Sequence, residues 1–403
     1  MAAKEILVAA FLGIMAGTGA GSAVAAPSCG NNANGFEAWL GAFSRDAVAK
    51  GISPRVVDAA LGNVSYDPEI VRADRRQGVF AQDFLTFAGR MVAKYRMQQG
   101  TALMRKYGDS FARIERSYGV PAAVITAFWG LETDFGANIG NLPTLRSLAT
   151  LAWDCRRPEL FREQLMAALR IVERGDLRPE EMVGPWAGEM GQTQFLPTHY
   201  NEYGVDFDGD GRRDLLRSAP DALASTANLL KAEGWRRGEP WLQEVRVPDR
   251  MPWDQADLDI RHPRAQWSNW GVRAADGSAL PRDQMPASLL LPMGHNGPAF
   301  LAYANFAVYL EWNQSLVYAT TAAYYATRLA GAPPVGPGRG QVKPLSLGET
   351  KELQQRLAAR GFDVGKIDGI IGAQTRAAVK AVQLKLGLPA DSYPDEDLLA
   401  RLR

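Results

Sequence analysis

Apolar positions recur every three or four residues through much of the chain, the spacing of one face of a helix. Between residues 36 and 50, Phe36, Trp39, Leu40 and Phe43 fall on one stripe. Residues 114–136 contain a second helix. Pro121 opens it at a position where a missing N–H does no harm. Residues 161–175 repeat the pattern with Phe161, Leu165, Ala168, Leu169 and Val172, and Gly175 supplies a stop. Residues 236–298 are richer in Pro, Gly, Trp and Asp, which predicts irregular structure with a few short strands such as LQEVRV. Residues 299–329 turn apolar and aromatic again and read as one or two buried helices. The fold class that follows is mainly α with some β (α+β).

Composition then shifts. Residues 331–344 (GAPPVGPGRGQVKP) are dominated by Gly and Pro, an extended linker unable to build a core. The tail, 345–403, resumes helical periodicity. A helix with Leu353 and Leu357 on one face ends at Gly361, and a Gly/Asp-rich loop follows. Thr375 opens a second helix with Ala378, Val379, Val382 and Leu386 inward, and 394–402 form a third. At the other end, Lys4 precedes an apolar run (ILVAAFLGIM) too short to span a bilayer, which needs ~20 residues. Small residues ending in Ala23-Val24-Ala25-Ala26 complete the pattern of a secretory signal peptide. The expected organisation is a leader over 1–26, a main domain over 27–330, the linker over 331–344 and a small three-helix domain over 345–403.

The 403 residues carry a net charge of +1, which excludes a nucleic-acid binder driven by bulk positive charge. Two cysteines and three dispersed histidines exclude a Cys₄ zinc site and an HExxH hydrolase. Export would expose Cys29 and Cys155 to an oxidising compartment where they can pair. A buried thiol at 155 and a disordered one at 29 remain the alternatives.

Candidate chemistry sits in two segments. In VITAFWGLETDFG, Glu132 ends an apolar helical run with Trp129 and Phe128 one turn behind it. Desolvation against aromatic rings and the negative end of the helix dipole both favour the protonated form. Such a group can donate a proton to a leaving oxygen. An ordinary carboxylate, satisfied by an arginine or by backbone amides, fits the same residues. In AGEMGQTQFLPTHY, Gly188 and Gly191 permit close backbone approach, and Gln192 and Gln194 offer neutral hydrogen-bonding groups. Phe195 and Tyr200 offer flat faces that suit sugar rings, although a glycine-rich turn before a helix explains the segment equally well. A third segment, DFDGDGRRD from Asp206, matches the first half of an EF-hand loop. Position 12 is Arg217 instead of the bidentate Glu, and Asp221 could bend back to supply that carboxylate.

Taken together, Glu-Thr-x-Phe-Gly after an apolar helix and Gly-x-Met-Gly-x-x-Gln-Phe-x-Pro further on resemble the lytic transglycosylases. The extended pattern resembles the membrane-bound lytic murein transglycosylase B family, supported by Gly-Pro-Ala-Phe-Leu at 297–301, Asn305-Phe306 and Trp312-Asn313-x-Ser315-x-x-Tyr318-Ala319. The tail pattern Leu-Gln…Gly-Phe…Ile-Asp-Gly-x-x-Gly…Thr-x-x-Ala-Val-x-x-Val-Gln resembles the peptidoglycan-binding-domain-1 family, with the loop of Asp363, Asp368 and Gly369 as the surface to test.

The first resemblance implies a lysozyme-like helical fold with extra subdomains and non-hydrolytic cleavage of the β-1,4 bond between N-acetylmuramic acid and N-acetylglucosamine. Glu132 matches the family's single catalytic acid. Gln194 matches a glycan contact, and Asn313 and Tyr318 match residues lining the site. Met190 and Gly191 belong to the same motif. Trp312 stands where relatives carry Tyr, and Phe87 is a candidate for an upstream family tyrosine. Pro185 replaces a family Ser in Gly184-Pro185-Trp186-Ala187-Gly188, which removes a hydroxyl near the acid. The family's calcium loop matches Asp206, Asp208, Asp210, the Arg212 carbonyl and Asp221, which implies a structural Ca²⁺ and no cofactor for the chemistry. Expected partners are peptidoglycan glycan strands in the periplasm, and no nucleic acid. A hydrolytic muramidase and a catalytically weak wall-binding scaffold are the competing readings.

Overall fold

The computed structural model describes residues 29–76 and 82–403, so the leader expected over 1–26 lies outside the described residues. The chain splits into two compact units. The first holds the described residues before position 78 with Leu103–Ala232, and the second those of Gly78–Ala102 with Glu233–Arg403.

Helices α1 (Phe36–Ala49), α2 (Pro54–Leu61) and α3 (Pro68–Arg75) begin the first unit. Ser53 and Asp67 cap α2 and α3 through their side-chain oxygens, each just before a proline in the first turn. Helices α4 (Phe84–Met91) and α5 (Lys94–Lys106) carry the chain into the second unit and back. Then come α6 (Gly108–Tyr118), α7 (Ala122–Thr133), the short strand β1 (Leu142–Pro143), α8 (Thr144–Trp153) and α9 (Pro158–Arg174). Gly175 ends α9 in the left-handed conformation, as its place in the pattern predicts. Strand β2 (Val183–Gly184) pairs antiparallel with β1, and α10 (Pro197–Tyr203) and α11 (Ala219–Ala232) close the unit.

Cys29 is bonded to Cys155 across 126 positions of sequence. Beside the bridge, Gly30 N donates to the Trp153 carbonyl at 2.9 Å, and the Trp153 indole donates to the Asn32 carbonyl at 2.7 Å.

The second unit contains β3 (Leu242–Arg246), β4 (His262–Pro263), α12 (Arg264–Asn269), β5 (Arg273–Ala274), β6 (Pro286–Leu290) and β7 (Ala299–Ala302). The strands form one antiparallel sheet in the order β4-β6-β7-β3-β5. Its core gathers Trp267, Val272, Leu289 and Leu301. Residues 299–302, expected to be helical, are therefore the central strand. They are buried on both faces, so no polar alternation betrays them. Helices α13 (Phe306–Trp312) and α14 (Leu316–Leu329) follow.

Residues 331–344 form neither helix nor strand, but they are not free: Gly336 N donates to Glu244 at 2.8 Å and Arg339 N to the Asn296 carbonyl at 2.8 Å. The tail folds as α15 (Leu347–Ala359), α16 (Ala373–Lys385) and α17 (Glu396–Leu402) around Leu353, Leu357, Val379 and Leu398. It lies against the sheet region of its own unit through Lys380–Asp257 at 2.6 Å and His295–Asp391 at 2.5 Å. Among the described residues no helix is long and apolar enough to cross a membrane.

Candidate active site

Helix α7 is apolar almost all round, which marks a helix surrounded by protein. Ten of its twelve residues are buried, and Glu132, near the C-terminal end, is half-buried. Trp129 and Phe128, one turn behind it, are buried, and the Trp129 ring meets Phe135 edge-on at 5.6 Å. The chain then reverses sharply. Asp134, Phe135 and Gly136 all have positive φ, at 52°, 62° and 85°. Two of the three carry side chains in a region that disfavours them, a strain typical of functional sites. Phe135 N donates to the Trp129 carbonyl at 3.1 Å, closing the helix end.

The segment from Gly188 to Phe195 grips this helix end. The Thr133 hydroxyl donates to the Gln192 carbonyl at 2.5 Å and accepts from Gly136 N at 2.8 Å. Gln192 accepts from the Trp129 indole at 3.0 Å and donates to the Leu216 carbonyl at 3.2 Å. Gln192 therefore holds the frame and does not face a ligand. Glycine is required at 136, where a Cβ would lie 2.7 Å from the Gln192 amide oxygen.

Met190 and Phe195 exchange two backbone hydrogen bonds of 2.8 Å, which folds the loop on itself. Gly191 abuts the Leu215 carbonyl, where a Cβ would sit at 2.7 Å. Gln194 occupies a left-handed conformation at φ 55° and donates to the Gly191 carbonyl at 2.9 Å. Phe195 and Tyr200 are fully buried, which corrects the expectation that they offer faces to a sugar. Tyr200 instead bonds the Arg213 carbonyl, and both rings belong to the core beneath the loop. Pro185 is buried where β2 ends, beside Gly140.

Glu132, Met190, Gly191 and Gln194 thus come together in the first unit. Phe87, Trp312, Asn313 and Tyr318 lie in the second. There Phe87, Trp312 and Tyr318 are buried in α4, α13 and α14, and Asn313 accepts from Ser315 N at 2.9 Å. Helix α4 packs on α14, with Phe84 edge-on to Tyr324.

In the loop from Asp206, the carboxylates of Asp206, Asp208 and Asp210 converge, with one oxygen of each within 4.8 Å of the others. Asp221 is buried below and accepts from Phe207 N at 2.8 Å and Asp214 N at 2.9 Å, so it staples the loop from underneath. Arg212 and Arg217 reach out of the same loop to Glu181. Burial raises that carboxyl's pKa, but hydrogen bonds from Arg178 and Arg217 and the charge of Arg217 outweigh it and hold it far below its ordinary value. Three clustered carboxylate donors suit a hard divalent ion. In the tail loop, Asp363 accepts from Gly365 N and Gln374, and Asp368 from Ile370 N, so these two side chains shape the turn.

Against this geometry, the transglycosylase SLT domain family matches residues 35–327, and a peptidoglycan binding domain family matches 346–402. The chain belongs to the transglycosylase SLT family. The membrane-bound lytic murein transglycosylase B of Escherichia coli is 30% identical over 237 residues, 59% of this chain and 64% of that protein. The chain therefore spans just under two thirds of that relative. SltB3 of Pseudomonas aeruginosa, solved in complex with NAG-anhNAM-pentapeptide, is 45% identical and covers 91% of this chain and 99% of its own at a TM-score of 0.85. Escherichia coli Slt35, solved in complex with calcium, is 27% identical, covering 72% of this chain and 92% of its own at a TM-score of 0.62. The mainly helical, lysozyme-like fold of this SLT member is thus the fold of its relatives.

Two residues of the site were given no role by the motifs. Thr133, inside the Glu-Thr-x-Phe-Gly motif, is the tether of the helix end to the loop. Glu189, the unspecified position of Gly-x-Met-Gly, is only 7% exposed. The buried Gly184 and Gly188 on its flanks were the available signal, since glycines that close together allow tight packing.

Proposed function

We propose that the chain is a lytic murein transglycosylase that cleaves the MurNAc-β-1,4-GlcNAc bond of peptidoglycan and leaves a 1,6-anhydromuramoyl end. The observation that carries this reading is the placement of Glu132. It is a half-buried carboxyl at the end of a buried helix, gripped by the loop of Met190, Gly191 and Gln194, in a chain of the SLT family.

Glu132 protonates the glycosidic oxygen, and the GlcNAc unit departs with that proton. The substrate's own N-acetyl group stabilises the cationic C1. The muramic acid C6 hydroxyl then bonds to C1 and returns its proton to Glu132, which closes the ring without water. One carboxyl acts as acid and then as base, where other glycosidases use two. Gly191, Gln194, Trp312, Asn313 and Tyr318 are assigned to the glycan, whereas Met190 and Phe87, as deeply buried as Phe195, belong to the core. SltB3, solved with a NAG-NAM-pentapeptide, supports glycan strands as the substrate.

Residues 1–26 serve as an export leader, placing a catalytic domain (27–330), linker (331–344) and wall-docking domain (345–403) in the periplasm. Asp206, Asp208, Asp210, the Arg212 carbonyl and Asp221 form a calcium site, supported by the clustered carboxylates and by Slt35, solved with calcium. The ion there would be structural and supply no step of the reaction.

Digestion of purified cell wall followed by mass spectrometry tests the reading. Anhydro products, lighter by one water than reducing-end products, are expected. Reducing ends would make the protein a muramidase, and wall binding without products would make it a scaffold.

A further inference from the structure

Gln192 is tied in two directions. Its side-chain carbonyl accepts from the Trp129 indole at 3.0 Å, and its backbone carbonyl accepts from the Thr133 hydroxyl at 2.5 Å. These two anchors bracket Glu132 on α7, the first one turn before it and the second directly after it. In the other direction, Gln192 N donates to the Leu215 carbonyl at 2.9 Å, and the Gln192 side-chain amide donates to the Leu216 carbonyl at 3.2 Å. The seat of Gln192, and through it the end of α7, is therefore set by a turn at 214–217 to which the reaction above gives no role.

That turn is built on Asp214, a buried residue. One oxygen of its carboxylate accepts from Leu216 N at 3.2 Å and Arg217 N at 3.0 Å, and the other pairs with the Arg217 guanidinium at 2.6 Å. Its own N–H is held by the buried Asp221 at 2.9 Å. Leu215 is wholly buried, and Gly191 packs directly on it, since a Cβ there would lie 2.7 Å from the Leu215 carbonyl. An aspartate that bonds the N–H groups two and three residues on fixes the direction of the carbonyls in its turn. We propose that Asp214 is a positioning residue for the reaction, acting through Leu215, Leu216 and Gln192 on the helix end that presents Glu132. Its carboxylate aims the two carbonyls that seat Gln192, and Gln192 sets where α7 stops. Without the cap those carbonyls turn and the acid shifts, which costs rate and leaves glycan binding in place.

The proposal rests on the assignment of Glu132 as the acid, and the experiment keeps the two apart. Release of soluble products from purified cell wall is measured for the wild type, Asp214→Ala, Asp214→Asn and Leu165→Ala, each well below its melting temperature. Leu165→Ala truncates a fully buried side chain of α9 in the same unit and controls for lost stability. In Asp214→Ala, kcat falls by roughly 10- to 100-fold with KM little changed, the cost of a small misplacement caused from outside the reacting groups. Asp214→Asn keeps an oxygen for the two N–H groups and recovers most of the loss, and Leu165→Ala keeps the wild-type kcat. If Asp214→Ala does not fold, Asp214→Ser, a weaker cap, takes its place with a smaller loss in the same direction. The NMR resonance of the Trp129 indole N–H gives a reading that needs no turnover. It moves in Asp214→Ala and stays in place in Asp214→Asn and Leu165→Ala. An Asp214→Ala that loses no more kcat than Leu165→Ala overturns the proposal, as does an Asp214→Asn no better than Asp214→Ala or a Trp129 resonance indifferent to both. Full turnover by Glu132→Gln sinks the assignment of the acid instead, and leaves the Trp129 shift as expected.

Discussion

The Trp129 indole donates to the Gln192 side chain at 3.0 Å, so the helix that ends in Glu132 and the loop that presents Gln194 move as one piece. Both partners are buried, and the Gln192 amide also serves the Leu216 carbonyl. Gln192→Leu keeps the volume and strands two buried polar groups, each worth about 1–3 kcal/mol. We expect a loss of about 2–4 kcal/mol in chemical denaturation. Wall degradation should also fall at temperatures where the variant is still folded.

Glu132→Gln preserves size and hydrogen-bonding shape but cannot give up or take a proton. Turnover of cell wall should drop by roughly 10²–10⁴-fold, the usual contribution of a general acid–base group. The melting temperature should match the wild type within a degree or two. An unimpaired variant would move the chemistry to another residue.

The Cys29–Cys155 bridge closes a long loop. Cross-links of this span stabilise by about 2–5 kcal/mol, chiefly through the unfolded chain. Cys155→Ser, or reduction of the wild type, should therefore lower the melting temperature by several degrees in a calorimetric scan. An equal melt in oxidised and reduced forms would show that the packing of Trp153 already fixes this end.

Three converging aspartates repel one another when no cation lies among them. Saturating calcium at 100 times its dissociation constant should add about 2.7 kcal/mol. A chelator should reverse the gain, and Asp208→Asn should abolish the response. A melt indifferent to calcium and chelator would leave the loop an acidic turn.

Glu189 also makes stability depend on pH. Its folded pKa of about 7 lies above the ordinary carboxyl value, so the folded state holds a proton that the unfolded state has lost. The contribution is fully present below the unfolded pKa near 4.5 and disappears as pH rises through 7. At 1.36 kcal/mol per unit this amounts to about 3 kcal/mol. Wild type should melt lower at pH 8 than at pH 5, and Glu189→Gln should narrow the gap.

Much of this was legible before any coordinates. The stripe of Phe36, Trp39, Leu40 and Phe43 is the buried face of α1, and Gly175 stops α9 where the periodicity ends. Glu132 stood out because a single carboxylate closed an apolar run. The sheet was not legible as a sheet, because strands of two to five residues carry little pattern and their partners are distant. Leu242 pairs with Ala302, and nothing local to either announces the other. Phe195 and Tyr200 misled because an aromatic ring beside glycines reads alike whether it faces a ligand or the core. Glu189 was missed for the opposite reason, since an acid in a turn is assumed to face water.

The left-handed run of Asp134, Phe135 and Gly136 has a consequence for anyone wishing to redesign this enzyme. A helix that ended gradually would tolerate an extra residue, and Glu132 would simply shift along it. Here the backbone doubles back within three positions, and Gly136 meets an amide with no room for a methyl group. Insertions and deletions between 132 and 138 should therefore be far less tolerated than side-chain replacements. Changes meant to alter what this protein accepts are better begun at side chains away from that turn.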